Sequence, residues 1–238
     1  MLGWVMFALA LGGAAFVAKV VWPAHQRLKR AEFIRGYAWP PGLLDKLQAH
    51  YPGFSRKETA LVANGLRQFF LAYLNSGERY VAMPSQVADE LWHEFILYTR
   101  AYQEFCGKAF GAFLHHTPAV ALAPGRTRDN SGLRRVWWQC CKEENIDPRN
   151  PTRLPLLFAL DTKLKIPNGY LYHPDCEQLR RNGKSGSQCG GDFSDSSIDG
   201  GTDGFGDGGS SSSSDGGGDG GGDSGGGDGG GCGGGGGD

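Results

Sequence analysis

The chain has 238 residues, with 24 Lys and Arg against 25 Asp and Glu and a formal net charge of −1. The balance hides a split: residues 190–238 carry ten Asp and no Lys or Arg, which leaves 24 basic and 15 acidic side chains, formally +9, in residues 1–189. The basic excess is scattered, and there is no phosphate loop, dinucleotide fingerprint or Ser nucleophile elbow; this argues against nucleic-acid readers and against the common nucleotide-binding and serine-hydrolase classes.

The first residues, Leu2 to Trp22, are apolar apart from Lys19, long enough at ~1.5 Å per residue to span a bilayer core. Trp4 and Trp22 stand where interfacial aromatics belong, and Lys19 can snorkel. A cleaved signal peptide is the competing reading, but no basic residue precedes the apolar run. The expectation is therefore a single-pass anchor over residues 1–23. Arg27, Lys29, Arg30 and Arg35 follow it in a basic juxtamembrane linker, 24–37, which either lies near anionic headgroups or is a solvated connector. That bias places the protein in the plasma membrane with its N-terminus outside and its body in the cytoplasm.

Residues 38–189 read as one all-α domain. Trp39-Pro40-Pro41-Gly42 opens it, and Leu43, Leu44 and Leu47 make a short helix ending near Tyr51-Pro52-Gly53. Ser55 and Glu58 form a capping box, with Phe54 as a staple, for a helix that stops at Ser76-Gly77.

The stretch from Pro84 to Pro118 is the densest in aromatic, His and Cys residues. Ser85 caps one long helix in which Val87, Leu91, Phe95, Tyr98, Tyr102 and Phe105 draw an apolar stripe. Asp89 and His93, at i,i+4, are neighbours on another face. Gly107 supplies the helix end, and Gly111 bends a return segment that carries His115 and His116.

Asp89-x-x-Trp92-His93, then Thr99-x-x-Tyr102, Phe105-Cys106, Phe110-Gly111 and His115-His116-x-Pro118 resemble the glycine-rich domain-containing protein family, and within it a small bacterial, membrane-anchored branch. The resemblance covers the 35 residues of this stretch, and the Gly-rich C-terminus agrees with it. It implies a helical fold and a motif core of Trp92, Tyr102, Phe105, Cys106, Phe110, Gly111 and Pro118. It implies no particular reaction.

On a continuous helix His93 and Cys106 lie about 20 Å apart and cannot share an ion. An extended return of eight residues reaches about 26 Å, enough to bring His115 or His116 beside His93. Asp89, His93 and one of that pair would then suit Zn²⁺ or another divalent metal, with an open fourth position. The alternative is structural: Asp89 orients His93, and the histidines close a polar network.

Further on, Pro124 to Gly132 is a polar loop, and Leu133, Val136, Trp137 and Cys140 give another amphipathic helix. A last helix spans roughly Arg153 to Lys165, and Tyr170-Leu171-Tyr172 can pair as a strand. His173, Cys176 and Cys189 have ligand chemistry but no evident fourth partner. Residues 190–238 hold 25 Gly, ten Asp and nine Ser, a composition that cannot bury a core and is expected to be disordered.

Three functions remain open on the sequence. The first is a membrane-tethered helical binding or scaffold module that recruits protein partners through its domain or tail. The second is a metal-dependent, hydrolase-like enzyme using Asp89, His93 and His115 or His116. The third is a structural envelope protein.

Overall fold

In a computed structural model the described residues are 13, 16–116, 131–174, 188–189 and 193. Two compact units divide the chain at Asp207, and every described residue lies in the first. After a π-helical turn, Val17–Val21, seven α-helices follow among the described residues: α1 (Trp22–Gly36), α2 (Leu43–His50), α3 (Arg56–Asn75), α4 (Gln86–Leu97), α5 (Thr99–Ala109), α6 (Ser131–Glu143) and α7 (Leu156–Lys163). Two short parallel strands, β1 (Tyr172–His173) and β2 (Gln188–Cys189), close the order, with Tyr172 opposite Gln188 and His173 opposite Cys189. The described structure is mostly helical, as expected.

α3 is the spine. Its capping box forms as the sequence predicts: Ser55 accepts from the Glu58 amide and Glu58 receives the Ser55 amide at 2.7 Å. Val62, Leu66, Phe69, Phe70 and Leu74 are buried, and α1, α2, α4, α6 and α7 all pack against α3. Between α3 and α7 the backbones come close. A Cβ added at Gly65 would stand 2.4 Å from Leu160 Cδ1, so a larger residue there would force the buried Leu160 side chain to shift.

No helix among the described residues is long and apolar enough to cross a membrane. This overturns the expected single-pass anchor, and with it the plasma-membrane location and the assigned orientation. The first part of the expected span, residues 1–12, lies outside the described residues. The physical reason is visible in α1, which continues directly from the π turn and mixes charged residues with an apolar side packed on the domain. Its Ala31 and Ile34 face inward and are buried in the core. Two of the linker's basic residues, expected either near headgroups or in solvent, make ion pairs within the domain. Arg30 reaches Glu78 at 3.1 Å, and Arg35 grips the Glu143 carboxylate at 2.8 Å.

The single long helix expected from Pro84 onward is also corrected. It breaks at Tyr98, whose φ of −80° and ψ of 59° end α4 as α5 begins. The Tyr98 hydroxyl donates to the Pro41 carbonyl at 3.3 Å, so the break is anchored on the turn before α2. The break matters for packing. Ten residues of straight helix separate side chains by about 15 Å along the axis, yet Trp92 Nε1 and the Tyr102 hydroxyl are 3.1 Å apart. Nor does Gly107 end the second helix. α5 runs on to Ala109, and Gly111, at φ +80°, terminates it by donating to the Gly107 carbonyl at 3.0 Å.

The polar loop residues before Ser131, Pro118 of the motif and Cys176 lie outside the described residues. So does nearly all of 190–238; the exception is Phe193, which is buried against Trp137, Phe158 and Tyr172. Its carbonyl accepts from Trp138 Nε1 at 3.2 Å. The packed part of the chain thus extends past the expected boundary at residue 189.

Candidate functional site

α4 begins where Ser85 accepts from the Ala88 amide, and a second group holds the same end. The buried carboxylate of Asp161, on α7, receives the Ser85 hydroxyl at 2.7 Å and the amides of Gln86 and Val87 at 2.8 and 3.3 Å. A carboxylate at a helix N-terminus satisfies donors that have no intrahelical acceptor and complements the positive end of the helix dipole. One turn further along α4, Asp89 and His93 project from the same face, with His93 Nδ1 3.5 Å from Asp89 Oδ2.

The third member arrives on the return segment. Gly111 turns the chain out of α5, and the buried Tyr102 hydroxyl donates to the Leu114 carbonyl while accepting from Trp92 Nε1. The Leu114 backbone also hydrogen-bonds the Cys106 thiol. With Leu114 pinned, His116 falls over α4: its Nε2 is 3.0 Å from Asp89 Oδ1, and its ring lies edge-on to Trp92 with centroids 4.5 Å apart. The His93 and His116 rings approach to 4.2 Å.

One ligand atom from each of Asp89, His93 and His116 lies within 4.8 Å of the others. A tetrahedral ion with bonds of about 2.0–2.1 Å places its ligand atoms about 3.3–3.4 Å apart; here His116 lies 3.0 Å from Asp89 Oδ1 and His93 3.5 Å from the other oxygen, Oδ2. The donor set of two imidazoles and a carboxylate suits zinc and its neighbours. His93 is half-exposed and His116 largely buried, so the set sits at a surface edge. It opens into a cleft of about 530 Å³, lined among others by Tyr80, Met83, Phe113, His115 and Tyr170.

Of the histidine pair it is His116 that joins Asp89 and His93. His115 points elsewhere, against the Phe113 ring, and contributes to the cleft wall. The other motif residues are packing: Trp92, Tyr102, Phe105, Cys106 and Phe110 are buried in the core. Burial pushes the Cys106 and Cys140 thiols up, and Cys141 up to about 12, which makes all three poor nucleophiles near neutrality. In the second cluster the strand register sets the backbone of His173 opposite that of Cys189, while Cys176 is outside the described residues.

Asp161 was missed by the sequence reading. It stands in a short helix with nothing nearby in the chain to mark it, and its partners at the start of α4 are some 75 residues away. Gln68 and Glu144 form a second such device. Gln68 donates to Glu144 at 2.9 Å and accepts from the Leu157 amide, while Glu144 also receives the Leu156 amide and Arg153. Burial raises the Glu144 carboxyl, but these hydrogen bonds outweigh it and hold the group below its usual range.

A family model described as UCP032817-like matches residues 29–193, more than half of the chain. The chain belongs to the UCP032817-like family. The expected membership of the glycine-rich domain-containing protein family is therefore corrected, because the family model that matches is the UCP032817-like one. That expectation leaned on a motif of aromatics and histidines that any helical core with a return segment could carry, and on a Gly-rich composition that lies beyond the matched residues. No curated protein and no solved structure matches.

Proposed function

We propose that this UCP032817-like protein binds a divalent metal of the zinc class through Asp89, His93 and His116 and presents it to the adjoining cleft, as a hydrolase-like enzyme would. The observation that carries the reading is the convergence of three ligand atoms within 4.8 Å from two separate segments. Among the described residues these three leave one tetrahedral position without a protein ligand, which is the arrangement of catalytic and not of structural sites. A divalent ion there would supply Lewis acidity to a bound donor atom. His93 and Asp89 are fixed by α4, whose N-terminus is locked by Asp161, and His116 by the Trp92–Tyr102–Leu114 chain. Supporting groups of this kind set ligand orientation and tune affinity.

A second reading has its own observation. The 3.0 Å contact between His116 and Asp89 is also a hydrogen bond, which could serve only to tie the return segment to α4. Metal analysis separates the two. The purified full-length chain, loaded with Zn²⁺ and freed of excess by gel filtration, should retain about one ion per chain, as a three-ligand site requires. Asp89→Asn, His93→Gln and His116→Gln should each weaken retention at least about tenfold while remaining folded by circular dichroism. A wild-type chain that retains no ion after loading with zinc, iron or manganese would overturn the proposal and leave the structural reading.

A further inference from the structure

Resting on the metal reading, we infer that the cleft selects a ligand with one metal-binding donor and one flat aromatic group. The walls carry the inference. Tyr80, Phe113 and Tyr170 are 40%, 45% and 52% exposed, and all three line this one cleft although they come from three separate segments. Exposed rings gathered around one cleft make it a slot for another ring, since offset and edge-on contacts add to the area that is buried.

The slot is held in fixed relation to the metal ligands. The Tyr170 amide donates to Asp161 at 2.9 Å, the same carboxylate that locks the start of α4. Phe113 stands edge-on to Tyr102 at 5.2 Å, and Tyr102 is the residue that pins the return segment before His116. The Tyr80 carbonyl accepts from Arg135 on α6. A ring entering the slot therefore orders little that is not already ordered, which favours affinity.

The test uses Co²⁺, whose visible spectrum reports its ligands, bound to the full-length chain. Benzohydroxamate and acetohydroxamate share one metal-binding group and differ in the ring, so free Co²⁺ provides the baseline for each. After that correction benzohydroxamate should bind about tenfold tighter, the effect of roughly one well-seated ring contact. The double variant Phe113→Ala, Tyr170→Ala truncates two half-exposed rings, and it should leave the cobalt spectrum unchanged while the preference falls towards one. Equal affinity for the two hydroxamates, or a preference that survives the double variant, would each overturn the inference. Failure to take up Co²⁺ is seen before any hydroxamate is added, and it would overturn the metal reading and this inference with it.

Discussion

The carboxylate of Asp161 receives four donors, the Ser85 hydroxyl and the amides of Gln86, Val87 and Tyr170, and is almost wholly buried. Asp161→Ala strands those donors without water, and hydrogen bonds to a charged acceptor are worth more than neutral ones. The variant should lose about 2–4 kcal/mol by urea denaturation; a loss below about 1 kcal/mol would contradict the account of α4. Trp92→Ala and Phe95→Ala remove buried rings and should cost about 3–5 kcal/mol each, so their phenotypes would report folding and not chemistry. Glu144 makes a prediction in pH. Its carboxyl titrates lower in the folded state, so the folded protein holds its proton less tightly than the unfolded chain does. Its contribution to stability is therefore present above the unfolded pKa and is lost as pH falls through the folded one. Stability measured from pH 7 downward should fall on the acid side, and Glu144→Gln should flatten part of that fall.

At the scale of elements, the return from α5 to His116 depends on one hydroxyl. Tyr102→Phe keeps the ring but removes both the bond to Leu114 and the acceptor for Trp92. It should cost about 1–3 kcal/mol and weaken zinc binding about tenfold, although all three ligands are intact. Unchanged zinc affinity by competition with a chelating dye would show that His116 is placed by something else. Gly65→Ala tests the α3–α7 contact. Ala favours a helix over Gly by about 1 kcal/mol, but here the added methyl meets Leu160 at 2.4 Å in a packed core. Overpacking of this kind costs about 1–3 kcal/mol, so the net effect on melting temperature should be negative. The elements themselves were largely legible in the sequence. Ser55-x-x-Glu58 marks the start of α3, and the apolar spacing marks α2, α3 and α6, because caps and helical periodicity are local. The break at Tyr98 was not legible. The hydrogen bond that anchors it runs to Pro41, 57 residues earlier, and the apolar stripe from Val87 to Phe105 runs through it without interruption.

At the scale of the molecule, Asp89 and His93 were readable as an i,i+4 pair, and the reach of the return segment allowed either His115 or His116 to join them. Only the pinning of Leu114 decides for His116, and that involves Trp92, Tyr102 and Cys106, which composition alone would assign to packing. The aromatic cleft was invisible in the sequence for a similar reason, since Tyr80, Phe113 and Tyr170 are far apart in the chain. Apolar composition at the N-terminus pointed to a membrane span, whereas in the described residues that follow it the helix turns Ala31 and Ile34 into the core and pairs Arg30 and Arg35 with acids of the domain. The central claim is that three side chains from α4 and the return segment hold one ion. Anomalous diffraction at the zinc edge from crystals of the zinc-loaded protein tests it most directly. The account predicts a single strong peak about 2.0–2.2 Å from His93 Nδ1, His116 Nε2 and an Asp89 oxygen. A zinc-loaded crystal with no peak there, or with its peak at other residues and the His116–Asp89 hydrogen bond intact, would contradict it.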